Sequence, residues 1–494
     1  MPREIVMKHS TRLSICILFL ILCCSRPLVA AEQTQRQRLN VIVILADDLG
    51  WTDLGCFGSD FYETPHLDRL ASTGMKFTQN YSACTVCSPT RSALLTGKYP
   101  ARLHLTDWIP GRMPDNPKLL VPDWSKQLPL EEVTFAEVFK SAGYTTGSIG
   151  KWHLGDDDYF PEKQGFDLNV AGLNAGSPPS YIAPWKIRTL KEGSAGEHLT
   201  DRLGEEAVKF IESGQGKPFL LYLPHFAVHL PLQGRPDLVA KYRAKSKDGR
   251  MQTNVVYAAM IENLDAAVGR VLTKLDELKL SDHTIVVFTS DNGGHLPTTS
   301  NKPLRLGKAS AYEGGVRVPM IVRWPGVIQP GSVTSVPVIT MDIFPTLVEI
   351  CGLQGHATEL AANSKSKTGP SARDGVSLVP LLRHAGTLQR KELFWHYPHH
   401  QHYQLGGTMP YAAIRSGDFK LIEFFNDMHI EFYNIREDLS EERDLSAELP
   451  QLATELRNRL HAWRDEVDAQ MPLPNPQYNM NKPEYTRPPR KARG

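Results

Sequence analysis

The sequence predicts an α/β protein, with one large mixed, mostly parallel sheet sandwiched by helices and a smaller C-terminal antiparallel sheet that carries one helix. Three observations lead there. Up to about residue 385, runs of β-branched and apolar residues alternate with amphipathic segments of helical spacing, the pattern of a parallel sheet covered on both faces. Four short strand-like runs with short polar connections then replace that alternation, as in an antiparallel sheet. The chain, at 494 residues, is also long enough for two or three domains of about 150 residues each.

The elements follow in order. Leu39 to Ala46 (LNVIVILA) is a buried central strand ending at Asp47-Asp48, where the carboxyl end of a parallel strand carries polar groups. His66 to Gly74 is a short helix closed by glycine. Thr134 to Glu137 is a capping box that opens a helix stopping near Gly143, and Tyr144 to Ile149 is a strand. Leu199 to Ser213 is an amphipathic helix leading into a strand over Pro218 to Leu223, and Val255 to Leu280 is a long helix. Thr284 to Ser290 (TIVVFTS) is a second central strand, ending at Asp291-Asn292. The four later strands are Glu392 to Tyr397, Tyr411 to Ser416, Lys420 to Phe425 and Ile430 to Ile435, with a helix over Leu449 to Val467. His356 to Asp374, rich in Ser, Ala, Lys and Gly, is expected as a surface loop.

The first residues have the three parts of a secretory signal peptide: a basic start, an apolar run from Ile15 to Cys24, and small residues at Ala30 and Ala31. The run is too short to span a bilayer comfortably. The expected organisation is a signal peptide over 1–31, a catalytic domain over 32–385, a substrate-shaping subdomain over 386–470 and an extended basic tail over 471–494. Removal of residues 1–31 takes away four bases and one acid, which moves the formal charge from +1 to −2. No basic field then points to nucleic acid. The same cut removes three of the seven cysteines and leaves Cys56, Cys84, Cys87 and Cys351, too few for a disulfide framework in so long a chain. The expected location is the periplasm or the exterior, with no membrane span after cleavage.

Asp47, Asp48, Asp291 and Asn292 are hard oxygen donors at two strand ends. If those ends are neighbours, the four could converge on one Ca²⁺ or Mg²⁺; singly, such pairs are ordinary turn or cap residues. Between them lies CSPTRSALLTGKYP, Cys87 to Pro100. Proline at 89 suits a first helical turn, so Cys87 belongs at a helix amino end, where N–H groups favour negative charge. Arg91, one turn on, adds a cation. The alternative for a lone cysteine is a small buried hydrophobe.

Cys87-Ser88-Pro89-Thr90-Arg91, followed by Leu95-Thr96-Gly97, resembles the signature of the type I sulfatases of the alkaline phosphatase superfamily, in which this cysteine is converted to formylglycine by a dedicated enzyme. Five further stretches resemble the family in the same order: VIVILADDLGWTDLGCFGS, GKWHLG (Gly150 to Gly155), AVHLP (Ala227 to Pro231), SDNGG (Ser290 to Gly294) and GKASAYEGGVRVP (Gly307 to Pro319). The family's serine between the first lysine and second histidine has two candidates here, Ser177 and Ser180.

The resemblance implies an alkaline-phosphatase-like fold and a set of roles. Ca²⁺, in preference to Mg²⁺, would be held by Asp47, Asp48, Asp291, Asn292 and the formylglycine at 87. That residue would hydrate to a geminal diol, attack sulfur, release the alcohol and then expel sulfate from a sulfated enzyme. Arg91 would hold the diol and Lys151 would bridge it to sulfate. His153 would help deprotonate the second hydroxyl, and His229 with Lys308 would protonate or shield the departing oxygen. Lys151, His229 and Lys308 would bind the substrate. Glu313 with Arg317 is expected as an internal ion pair in a tight turn.

For the alcohol portion, FWHYPHHQHY in the C-terminal sheet offers His396 and His399 beside aromatic rings, as sugar contacts or as a plain surface loop. The expected substrate is a sulfated small molecule or glycan, with exo action on a sulfated galactose-type or amino-sugar unit. A phosphodiesterase or phosphonate hydrolase of the same superfamily, or a non-catalytic sulfated-glycan-binding protein, are the rivals.

Overall fold

The computed structural model describes residues 38–214, 216–366, 373–401, 409–483. The expected signal peptide, His402 and the tail beyond residue 483 lie outside the described residues.

The described residues build fifteen strands: β1 (Asn40–Ala46), β2 (Met75–Tyr81), β3 (Leu119–Leu120), β4 (Thr145–Ile149), β5 (Leu168–Val170), β6 (Phe219–Pro224), β7 (Thr284–Ser290), β8 (Arg317–Arg323), β9 (Ser332–Thr334), β10 (Val338–Ile339), β11 (Glu392–Tyr397), β12 (Tyr411–Ser416), β13 (Phe419–Phe424), β14 (Ile430–Asn434) and β15 (Leu473–Pro474). Nine of them form one sheet in the order β10-β2-β8-β7-β1-β6-β4-β5, with β9 also on β2. Pairing is parallel from β7 to β5, and only β8 runs antiparallel to its neighbours. The sheet is therefore mixed and mostly parallel, as the alternation of elements predicts.

β1 lies at the middle and is buried along its whole length. Its side chains alternate between faces. Ile42, Ile44 and Ala46 meet the helices Pro65–Thr73, Leu199–Ser213 and Val255–Glu277, while Val41, Val43 and Leu45 meet Phe135–Ser141 and Ile343–Ile350. Each Val or Ile so enclosed contributes roughly 1.5–3 kcal/mol, which fixes the register of the strand ends. The capping box at Thr134 forms in both directions, with Glu137 N donating to Thr134 Oγ1 at 3.2 Å and Thr134 N to Glu137 Oε2 at 2.8 Å.

The C-terminal sheet has the order β11-β12-β13-β14, all antiparallel, with the helix Pro450–Glu466 against it. Its core is shared with the main body: Leu393, Trp395 and Ile414 pack in one cluster with Tyr81, Val86 and Ala93.

One expectation changes. The segment 356–374 begins inside a helix, Gln354–Asn363, because Ala357 and Ala361 fall one turn apart and are both buried. The tail is held over 471–483: β15 pairs with β3, and Asn116 Nδ2 donates to the carbonyls of Asn479 and Lys482 at 2.8 and 2.9 Å.

Candidate active site

Asp47 and Asp48 follow β1, and Asp291 and Asn292 follow β7. Ala46 is in register with Ser290, so the four side chains leave the sheet side by side. On the other flank of β1, β6 ends with Pro224 beside Leu45 and leads to His229. β4, one strand further, leads from Ile149 to Lys151 and His153. Four adjacent parallel strands thus deliver their polar residues to one edge, beyond the carboxyl ends where such sheets bind ligands. Asp48 and His153 both sit at positive φ, 61° and 59°, a conformation costly for residues with a Cβ and concentrated at working sites.

Cys87 is the first residue of the helix Cys87–Thr96, capped at its far end by Gly97 at φ 73°, where glycine carries no steric penalty. Arg91, wholly buried, reaches Asp291 Oδ2 with Nε and Nη2 at 3.0 and 2.7 Å, and its Nη1 donates to the Lys151 carbonyl at 3.1 Å. Lys151 Nζ lies 2.7 Å from Asp47 Oδ2. Lys308 Nζ lies 2.7 Å from Asp48 Oδ1, which also accepts from Asn292 Nδ2 at 2.8 Å. The loop bearing Lys308 approaches the second acid pair so closely that a Cβ on Gly293 would stand 1.8 Å from the Gly314 carbonyl oxygen, so glycine is required there.

The donor set fits a hard cation. Asp47 Oδ1 and Asn292 Oδ1 are buried oxygens with no hydrogen-bond partner, a costly condition unless something else satisfies them. The three carboxylates Asp47, Asp48 and Asp291 balance the three cations Arg91, Lys151 and Lys308, so a divalent ion would leave a net positive site for an anion. One group of possible ligand atoms, all within 4.8 Å of one another, joins Asp47 and Asp48 to His229.

Electrostatics sort the roles. Burial, reinforced by Asp291, raises Asp47 to about 7 in the absence of an ion. Burial opposes ionisation of Asp48 too, but Lys308 and His229 outweigh it and hold its carboxyl below the usual range. Burial raises the Cys87 thiol although Lys151 and Lys308 pull it down. The sulfur is therefore no activated thiolate, contrary to the expectation from its helix position alone. Burial and Lys308 lower His229 to about 3, and its Nδ1 donates to the Leu230 carbonyl at 2.9 Å. Unliganded, His229 is neutral with its Nε2 lone pair 3.6 Å from Asp48 Oδ2, so it is not a standing acid; an anion bound nearby would raise it. His153, neutral through burial and the Lys151 charge, sets Nδ1 at 3.3 Å from Cys87 Sγ.

A cavity of about 270 Å³ opens over Cys87, walled by His153, His229 and Lys308 and also by Trp108, Asn174 and Ser177. Of the two candidate serines, Ser177 faces this cavity, whereas Ser180 Oγ is turned to the Ile182 carbonyl at 2.7 Å. Trp108 and Asn174 escape sequence reasoning because both lie in irregular segments without periodicity; the only signal is their place shortly after the signature helix and after His153.

His396 and His399 do not line this cavity. Both are buried: His396 Nε2 pairs with the Gln470 carbonyl at 2.8 Å, and His399 Nε2 with Thr106 Oγ1 at 2.8 Å. Trp395, His396 and Tyr397 are all buried, so both faces of β11 are covered there, and His399 lies buried two residues beyond the strand. Glu313 forms the expected internal ion pair, with Arg317 Nη1 at 3.5 Å, and a closer one with Lys420 at 3.0 Å.

Comparison with known proteins agrees with this geometry. Residues 39–353 match the sulfatase family, and residues 306–466 match the N-sulphoglucosamine sulphohydrolase C-terminal family. The chain is 34% identical to a sulfatase of Formosa agariphila, over 88% of this chain and 91% of that protein. It is 34% identical to the N-acetylgalactosamine-6-sulfatase of Canis lupus familiaris, over 77% of this chain and 71% of the other. The crystal structure of Ps i-CgsB in complex with k-i-k-neocarrahexaose is similar at a TM-score of 0.71 and 29% identity, covering 90% of this chain and 96% of that one. The chain belongs to the sulfatase family and is a sulfuric ester hydrolase with the alkaline-phosphatase-like fold of that family.

Proposed function

We propose that this protein is an exported, Ca²⁺-dependent sulfatase in which Cys87, converted to formylglycine by a maturation enzyme, releases sulfate from a sulfated carbohydrate. The observation that carries the reading is the pair of orphaned oxygens, Asp47 Oδ1 and Asn292 Oδ1, at the strand ends that share an edge with a buried residue 87 whose thiol is held protonated. Asp47, Asp48, Asp291 and Asn292, with residue 87, would hold the ion; an all-oxygen set from the protein suits Ca²⁺ or Mg²⁺. When bound, the ion lowers the pKa of a hydroxyl and neutralises sulfate charge. Residue 87, as hydrated formylglycine, would offer two hydroxyls on one carbon, a nucleophile and a second acidic O–H.

The chain's own residues do the rest. Arg91, locked onto Asp291 and the Lys151 carbonyl, is a fixed cation beside residue 87 and needs no reorganisation during the reaction. Lys151 and Lys308 place two more where charge collects on the sulfuryl oxygens. His153 Nδ1, 3.3 Å from Cys87 Sγ, is a base within reach of residue 87. His229, raised by a bound sulfate ester, donates to the departing alcohol oxygen with Lys308 beside it. Ser177 faces the same space and is the better candidate for the family's serine.

The carbohydrate reading draws on the N-acetylgalactosamine-6-sulfatase and neocarrahexaose-bound relatives and on the cavity wall. Trp108 offers a ring face and Asn174 an amide, the combination that sugar rings and hydroxyls use. A pocket of about 270 Å³ suits one sulfated ring at a chain end. Export draws on residues 1–31, and among the described residues no helix is long and apolar enough to cross a membrane. Rates on matched sulfate and phosphate esters, then on defined sulfated mono- and disaccharides, test the reading. Sulfated sugars should turn over fastest; activity confined to aryl sulfates would remove the carbohydrate reading, and faster phosphate hydrolysis would remove both.

A further inference from the structure

The histidines of the C-terminal sheet face away from substrate, yet they hold something that faces it. Tyr397, the last residue of β11, and His399, two residues on, meet the segment Thr106–Ile109 of the catalytic domain. His399 Nε2 is 2.8 Å from Thr106 Oγ1, and Tyr397 OH donates to Asp107 Oδ1 at 2.5 Å. Asp107 Oδ1 in turn accepts from the Trp108 backbone N–H at 2.9 Å. Trp124 and His399 meet edge to face, with centroids 5.4 Å apart. Thr106, Asp107, Tyr397 and His399 are all buried, so water does not compete for these bonds.

The far end of the same segment touches the reacting residues. Ile109 N–H donates to Ser88 Oγ at 3.2 Å, next to Cys87, and the Ile109 carbonyl is hydrogen-bonded to His153 Nε2. A carbonyl only accepts, so Nε2 carries the proton. In a neutral ring Nδ1 then holds the lone pair, and Nδ1 is the atom facing residue 87.

We propose that Tyr397 and His399 are positioning residues: through Thr106 and Asp107 they fix the Ile109 carbonyl, which selects the tautomer of His153 able to take a proton from residue 87. The C-terminal sheet therefore acts on the base as well as on the pocket wall. This rests on the reading of His153 as that base, but its structural half is independent of activity.

The test uses the metal-replete, matured enzyme and an isosteric pair. Thr106→Val removes the hydroxyl that meets His399, and Thr106→Ser keeps it. With a small aryl sulfate, Thr106→Val should lower kcat about 10- to 100-fold, the range for outer partners of site histidines, with KM changed less than about 2-fold, because that substrate leaves the sugar wall unused. Thr106→Ser should stay close to wild type. ¹⁵N NMR of histidine-labelled enzyme, with His153 assigned by its loss in His153→Gln, should show an unprotonated Nδ1 in wild type and Thr106→Ser and a mixture of tautomers in Thr106→Val. If Thr106→Val does not fold, Tyr397→Phe, which removes the hydroxyl that donates to Asp107 and accepts from Gln401 Nε2, is read in the same two ways. Wild-type kcat and tautomer in the folded variant, or an equal loss in Thr106→Ser, would overturn the proposal. An inactive wild-type enzyme would remove the catalytic reading, leaving the tautomer measurement to decide the positioning.

Discussion

Two buried clusters of charge lie on either side of the Gly307–Pro319 segment, and they differ in one respect. In the first, Asp47, Asp48, Asp291 and Asn292 meet Arg91, Lys151 and Lys308, and two oxygens stay without a partner. In the second, Glu313 accepts from Tyr81 OH at 2.7 Å and lies 3.0 Å from Lys420 Nζ, which lies 3.0 Å from Glu441. The Glu441 carboxylate also accepts from the Glu313 backbone N–H at 2.7 Å. Both clusters are fully buried and both shift pKa values: Glu313 is lowered to about 2, burial being outweighed by Lys420 and Arg317, while burial and the Glu313 charge raise Glu441 to about 7. Burial of charge alone does not mark a working site. The first cluster leaves Asp47 Oδ1 and Asn292 Oδ1 without a partner beside the cavity over Cys87; in the second Glu441 Oε1 also lacks a hydrogen bond but lies 3.0 Å from Lys420 Nζ, and the cluster ties β8 and its preceding turn to the C-terminal sheet.

The comparison can be broken from either side. The largest effect is expected at Cys87. Cys87→Ser retains one hydroxyl and lacks the second, so turnover should fall on the order of 10⁴-fold or more, with a sulfated enzyme accumulating in a single-turnover mass spectrum; undiminished multiple turnover would contradict the two-hydroxyl account. Next is removal of the ion. Chelation should cost on the order of 10³-fold in kcat/KM, and Ca²⁺ should restore it; activity indifferent to chelation would detach the orphaned oxygens from the chemistry.

In the second cluster, Lys420→Met strips the cation from two buried carboxylates and should cost about 3–5 kcal/mol in denaturant unfolding, while the folded fraction binds Ca²⁺ with wild-type stoichiometry. A variant as stable as wild type would show that the cluster holds nothing together.

The smallest effect concerns a buried acid outside both clusters. Asp265 accepts from the N–H groups of His66 and Leu67 at 3.1 and 2.7 Å and caps the helix Pro65–Thr73. Burial raises it to about 7. A raised folded pKa stabilises the protonated state, so its contribution is full below about 4 and is lost as pH rises through about 7. Asp265→Asn cannot titrate, so the Tm difference between variant and wild type should move by a few degrees in favour of the variant between pH 4 and 8. A constant difference would contradict the shift.

The strand ends were legible because NVIVILA and TIVVFTS are apolar runs that stop abruptly at oxygen donors, and a buried strand has few registers open to it. What the sequence lacked was direction. Histidines beside aromatics occur on binding surfaces, but both faces of β11 are covered at its end and His396 and His399 are buried. β2 and β8 are hard to see locally: MKFTQNY is half polar, and RVPMIVR carries a proline and follows directly on the Glu313 turn. Trp108, Asn174 and Ser177 reach the cavity through loops whose course depends on distant contacts, such as that between Thr106 and His399. The helix inside 354–363 was hidden by the Ser- and Lys-rich stretch that follows it.

The central claim is that residue 87 works as formylglycine and not as a thiol. Intact-peptide mass spectrometry across Cys87 in protein from the native host tests it directly. A peptide with the mass of formylglycine is the predicted result, and a peptide carrying only an unmodified cysteine in active enzyme would contradict it.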